Sequence, residues 1–229
     1  MAKIVALVGS PNVSGNTASI VNSVLDGAMG LSTNVIKYHN LWKITAFDRG
    51  EFILHCHDQK RSPIDESAQE ILEDIRTADV LVFGTPVYFD MPTSQFQLIL
   101  EYMYCMIETD FSSSELAGKK AVIAVSCTEI DRDSLNVVET VAHSLGRFGI
   151  QVVDKMIYED WKGPFKDNPE ARKRAMSVGA RFNRTIDVDP IEETVFLDRW
   201  RRHIGKIPCR HCPPYEVRTR GVPRSSQEA

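Results

Sequence analysis

Cysteine is scarce in this 229-residue chain, and long apolar runs are missing from it. Its five cysteines are odd in number and scattered, which excludes the disulfide framework of a small secreted domain. No stretch approaches the roughly 20 consecutive apolar residues that a membrane helix needs. The apolar opening, Ile4-Val5-Ala6-Leu7-Val8, reads as a buried strand and not as a signal peptide. Internal repeats and low-complexity tracts are lacking too. Charge of one sign does not dominate: 27 Lys/Arg against 31 Asp/Glu leave a net −4, which names no partner. The expected setting is the cytoplasm, with reduced thiols and no membrane contact.

What is present is a globular composition, 43% hydrophobic and 25% charged. Strand-like and helix-like segments alternate along it. Strands are predicted at Lys3–Gly9, Thr33–His39, Asp79–Thr85, Lys119–Cys127 and Ile150–Tyr158. Between them, Asn16–Met29 spaces Ile20, Val21, Val24, Leu25 and Ala28 for one helix face. Ser62-Pro63 is a good helix start, with Ala68, Ile71, Leu72 and Ile75 on one face behind it. Further helices are predicted at Gln95–Ile107, Ser134–Phe148 (a stripe of Leu135, Val138, Ala142 and Leu145) and Pro169–Arg184. Four of the strands are near-continuously apolar, as strands covered on both faces are, so the sheet is expected to be parallel. Five strands with intervening helices predict a doubly wound α/β domain over residues 1–184, followed by a basic extension over 185–229. Within residues 199–224 of that extension, eight Lys/Arg face a single acid, Glu216. No groove-reading or aromatic-rich motif accompanies them, so nucleic acid is not the expected partner.

Ligands of such sheets sit beyond the carboxyl ends of the strands. After the first strand comes Gly9-Ser10-Pro11-Asn12-Val13-Ser14-Gly15-Asn16-Thr17, opening the first helix. Ser10, Ser14, Asn16 and Thr17 offer donors, and the helix start offers free N–H groups and a positive dipole end, so a phosphate fits. Asn16 stands where a P-loop has its lysine, and G-x-G-x-x-G is absent. No acid closes the second strand, where Tyr38-His39-Asn40 stand, to hold an adenosine ribose. The same loop is also what any capped helix after a tight turn looks like. After the third strand, Gly84-Thr85-Pro86-Val87-Tyr88-Phe89-Asp90-Met91-Pro92 has the aromatic and small residues that hold a flat ring, or that pair in a core. Ser126-Cys127-Thr128 follows the fourth strand and offers a polar closure for the ring's other edge.

The first loop, together with Ala78-Asp-Val-Leu-Val-Phe-Gly-Thr-Pro-Val-Tyr-Phe89, resembles the flavodoxin-like NAD(P)H-dependent FMN reductases. The branch is the one that includes the iron–sulfur flavoproteins and related quinone reductases. The resemblance covers roughly residues 3–160. It implies FMN, with its phosphate on Ser10, Asn12, Ser14, Asn16 and Thr17. The isoalloxazine would lie against Pro86, Val87, Tyr88 and Phe89, with Ser126, Cys127 and Thr128 on the remaining side. It further implies a homodimer or homotetramer. The iron–sulfur members carry a cysteine cluster after strand two, whereas loop 40–62 here holds only Cys56, too few thiolates for a cluster.

The function expected from these readings is an FMN-dependent oxidoreductase passing electrons from NAD(P)H to a flavin, a quinone or a small aromatic acceptor. No catalytic triad and no metal site is expected, and Tyr88, Phe89 and Asp90 are the candidates for shaping the acceptor side. The alternative is a flavodoxin-type electron carrier, although carriers are usually shorter and strongly acidic. Cys209-Arg210-His211-Cys212 has C-x-x-C spacing without a second pair, which leaves structure, a redox dithiol and half a metal site open. Pro190–Ile204 reads as a capped helix whose Val195, Phe196 and Trp200 form an apolar stripe, expected to embrace a partner subunit.

Overall fold

The computed structural model describes residues 2–30, 34–44, 66–106, 114–129 and 132–183. Most of loop 40–62 with Cys56, the helix start at Ser62-Pro63 and the extension 185–229 with Cys209 and Cys212 lie outside those residues. The chain divides into two compact units, 1–189 and 190–229, and every described residue belongs to the first.

Among the described residues, five strands pair in parallel in the order β2-β1-β3-β5-β6. They are β1 (Lys3–Val8), β2 (Val35–Asn40), β3 (Val80–Tyr88), β5 (Lys120–Cys127) and β6 (Gln151–Glu159). A sixth, two-residue strand, β4 (Met91–Pro92), folds back antiparallel on the end of β3. The period-2 alternation of the three central strands sorts their side chains to two faces. Val5, Leu7, Leu81, Phe83, Ile123 and Val125 enter one core, and Ile4, Ala6, Val8, Val80, Val82, Val122 and Ala124 enter the other. Helices cover both faces, which is why these strands are apolar throughout. On the first face lie α2 (Glu66–Thr77), α3 (Ser94–Met103) and α4 (Arg132–Arg147). On the second lie α1 (Asn16–Met29) and α5 (Pro169–Ala180).

The boundaries follow local chemistry. Thr93 caps α3, accepting from the Phe96 N–H, and Asn168 caps α5, accepting from the Ala171 N–H ahead of a first-turn proline. The stripe expected on α4 is shifted: Leu135 is exposed, and Val137, Val138, Val141 and Leu145 are the buried set. The helix is rotated so that Val138, Val141 and Leu145, not Leu135, enter the core with Ile123 and Val125 of β5.

The crossing of α1 and α5 is backbone against backbone. A Cβ on Gly27 would lie 1.9 Å from the Met176 carbonyl oxygen, and one on Gly179 would lie 1.8 Å from that of Val24. Only glycine permits this approach. α5 is fastened in turn to edge strand β6. The buried Asp154 carboxylate on β6 accepts from Arg174 at 2.9 Å and from Arg181.

On the other edge, the Asp74 carboxylate of α2 receives Lys3 Nζ at 2.7 Å and His39 Nε2 at 2.8 Å, with Lys37 3.9 Å away. Burial works to raise its pKa but is outweighed by the Lys3 and His39 hydrogen bonds and the Lys3 and Lys37 charges. The carboxyl is therefore held below its ordinary range.

Candidate functional site

Three strand ends come into register at one end of the sheet. Val8 pairs with Gly84, and Pro86 pairs with Ser126, so the segments that follow β1, β3 and β5 meet. The Gly9 N–H donates to the Gly84 carbonyl at 2.8 Å and ties the first segment to the second.

The first segment is a self-braced turn. Asn12 N–H donates to Ser10 Oγ at 3.2 Å, while Asn12 Oδ1 accepts from both the N–H and the hydroxyl of Ser14 at 3.1 Å. Asn12 and Ser14 are exposed and Ser10 is buried. The helix that follows begins after Gly15, whose extended backbone supplies no side-chain cap. Its first-turn N–H groups are the ones a helix leaves without an internal partner, and they sit at the positive end of the dipole.

The expected donors of this loop divide into two kinds. Asn16 turns its amide away from the turn: Nδ2 donates to Asp160 Oδ1 at 2.7 Å and Oδ1 accepts from the Phe165 N–H at 2.7 Å. It is a strut to the connection after β6, and what it offers the cradle is its backbone N–H. Thr17 is buried, with its hydroxyl 2.7 Å from that of Ser126, so it bolts α1 to the end of β5. Ser10, Asn12 and Ser14 remain on the turn itself.

The second segment is not a loop. β3 runs on through Pro86, Val87 and Tyr88 and turns back into β4, with Tyr88 opposite Met91 and Val87 opposite Pro92. Phe89 and Asp90 form the two-residue turn with φ of 49° and 61°. Positive φ at both positions is what a tight hairpin of the correct twist demands, and glycine or asparagine normally supplies it. A phenylalanine there is strained, and Phe89 is 98% exposed. Tyr88 and Met91 beside it are also exposed. In the third segment, Ser126 and Cys127 are buried and Thr128 is exposed.

Every residue expected to bind the cofactor thus comes to one end of the sheet. Thr85, Thr93, Asp160 and Phe165 also belong to this assembly and were not among those candidates. Thr85 stood in the quoted motif. Asp160 and Phe165 lie 144 and 149 residues from Asn16, and no local pattern marks them.

The flavodoxin-like sheet thus has an uncharged, hydroxyl-rich loop at its first helix and an aromatic hairpin beside it. The NADPH-dependent FMN reductase family model matches residues 2–161, and the chain belongs to that family. The family's cofactor is FMN and its electron donor a reduced nicotinamide nucleotide. The chain is 26% identical over 101 residues to an iron–sulfur flavoprotein of Methanocaldococcus jannaschii, covering 43% of this chain and 50% of that protein. It is 31% identical over 99 residues to the 8-demethyl-8-aminoriboflavin-5′-phosphate synthase of Streptomyces davaonensis, covering 43% and 38%. The chain thus spans half or less of the length of these curated relatives. Among solved structures, RosB with bound 8-demethyl-8-formylriboflavin-5′-phosphate superposes with a TM-score of 0.57 at 18% identity, covering 100% of this chain and 96% of that one.

The residues present fit FMN. The cradle Ser10–Thr17 carries no charged side chain and presents hydroxyls and helix-start N–H groups, suited to one terminal phosphate. The exposed aromatic hairpin beside it supplies an apolar surface of the kind that holds a flat ring.

Proposed function

We propose that this protein is an FMN-dependent oxidoreductase that takes hydride from NAD(P)H and passes hydride or electrons to a small acceptor. The acceptor classes are a flavin, a quinone or a small aromatic compound. The observation that carries the reading is the meeting of the cradle after β1 with the aromatic hairpin after β3 at the carboxyl end of the sheet.

In this reading the phosphate is held by Ser10, Asn12 and Ser14 and by the backbone N–H groups of Asn16 and Thr17, charge-assisted through the helix dipole. Pro86, Val87, Tyr88 and Phe89 flank the ring, with Ser126, Cys127 and Thr128 along its other side. Held by these residues, FMN would supply the redox chemistry between a reduced nicotinamide and the acceptor. The chain's own work is to bind, to orient and to limit water at the ring, and no side chain is assigned a proton transfer. Tyr88, Phe89 and Asp90, at the exposed rim, shape the acceptor side. The protein is assigned to the cytoplasm and to a homodimer or homotetramer, with residues 185–229 as a basic extension that contacts the partner subunit.

Steady-state oxidation of NADH and NADPH, with a quinone or free FMN as acceptor, tests this directly. Turnover by the purified, flavin-loaded chain is the expected result. A protein that takes up no FMN in titration overturns the reading. One that binds FMN but turns over neither nucleotide is a carrier instead.

A further inference from the structure

A buried pair of hydroxyls joins the hairpin to the first loop. Thr85, fully buried on β3, donates from Oγ1 to the Pro86 carbonyl at 2.9 Å and accepts the Thr93 N–H at 3.2 Å. Its hydroxyl is therefore occupied as both donor and acceptor, and it closes the base of the hairpin across β3 and the start of α3. Thr93, also buried, caps α3 and lies directly against the first loop: a Cβ on Gly9 would meet Thr93 Oγ1 at 2.5 Å. Gly9 is in turn bonded to Gly84, the neighbour of Thr85. The chain of contact runs Pro86–Thr85–Thr93–Gly9, from the hairpin's base to the cradle's first residue.

We infer that Thr85 and Thr93 are positioning residues that hold the ring platform and the phosphate cradle in a fixed relation. A change made at the hairpin's base is then felt at the phosphate end of the ligand. Two features support this beyond simple packing. The hairpin carries a strained turn, and such a turn persists only where its surroundings over-determine it. The two hydroxyls lie on the side of β3 that faces α3, away from α1, so they brace the cradle independently of the Thr17–Ser126 bolt. The inference rests on the proposed FMN site.

Its test compares FMN with riboflavin, which lacks the phosphate. The full chain, stripped of flavin, is titrated with each by fluorescence quenching, and the ratio of the two affinities reports the phosphate end alone. Thr85→Val keeps the shape but removes one acceptor from the buried Thr93 N–H and one donor from the Pro86 carbonyl. It is expected to weaken FMN binding by roughly tenfold and to lower the FMN-over-riboflavin preference. Thr85→Ser, which keeps the hydroxyl, is expected to restore both. Thr93→Ala keeps the N–H bonded to Thr85 but removes the α3 cap and the hydroxyl packed at Gly9, so it should lower the melting temperature and leave riboflavin affinity near that of the wild type while lowering the preference.

A merely structural role would lower the melting temperature and leave the preference unmoved, and that result overturns the inference. So does a loss in Thr85→Val that the serine variant fails to restore. If Thr85→Val does not fold, the preference of Thr93→Ala decides alone. A wild-type chain that binds neither flavin refutes the proposed function instead, whereas a preference that survives in every variant refutes only the coupling.

Discussion

The cradle after β1 and the hairpin after β3 lie side by side and are built in opposite ways. The cradle is stitched to its surroundings by polar bonds: Gly9 to Gly84, Thr17 to Ser126, Asn16 to Asp160 and Phe165. The hairpin is pinned at its base and bare at its tip, where Phe89 and Asp90 adopt positive φ and Phe89 stands almost wholly in solvent. One region has its geometry fixed by bonds to three other parts of the chain. The other presents apolar surface and stores strain at its tip. A rigid anchor beside an open apolar rim suits a ligand whose one end is held constantly while partners come and go at the other.

The largest way to break this contrast is to unseat the helix that begins at the cradle. Gly179→Ala places a Cβ inside the backbone of α1, and relief requires the two helices to part. A loss of about 3 kcal/mol or more is expected, with FMN binding lost alongside stability, read by thermal unfolding and flavin titration. Thr17→Val is narrower. It leaves the buried Ser126 hydroxyl without its partner and should cost about 1–3 kcal/mol. FMN affinity should fall while the hairpin's contribution, read as riboflavin affinity, changes less.

Asp74→Asn provides a comparison remote from both loops. The folded carboxyl has its pKa depressed, so its contribution is fully present above the ordinary carboxylate range and is lost as pH falls through the depressed folded value. The wild type should exceed the variant by about 1–3 kcal/mol near neutral pH, and the gap should close under acid. Melting temperatures of both proteins across a pH series check this, and FMN affinity should be unchanged at neutral pH. The smallest effect expected on stability has the opposite sign. Phe89→Gly relieves a left-handed phenylalanine at some cost in chain entropy, for a net gain of up to about 1 kcal/mol. The same variant should raise the KM for the acceptor, because it strips the rim of its most exposed ring. Parallel measurement of melting temperature and acceptor kinetics would show whether stability and turnover separate there.

Much of this was legible in the sequence because its causes are local. The apolar alternation of helix and strand patterns names a covered parallel sheet, since only strands buried on both faces carry runs such as Val80-Leu81-Val82-Phe83. α1 runs over the residues its periodicity predicts, Asn16–Met29, and the loop ahead of it has the composition of an anion cradle. What failed to show were the roles that depend on distant partners. Asn16 reads as a donor to a ligand until Asp160 and Phe165, far along the chain, claim its amide. Leu135 reads as core until the rotation of α4 exposes it.

The sequence by itself determined the class of fold and the composition of the loops at the carboxyl end of the sheet, because periodicity and turn composition act over a few residues. Only the tertiary structure decided which of the groups on those loops are free. It made a hairpin of the Pro86–Pro92 segment, closed Gly27 and Gly179 onto neighbouring backbone, and turned Asn16, Thr17 and Thr85 inward as struts. The physical reason is that a polar side chain removed from water takes whatever partner the packing brings within hydrogen-bond reach, and that partner can lie anywhere in the chain.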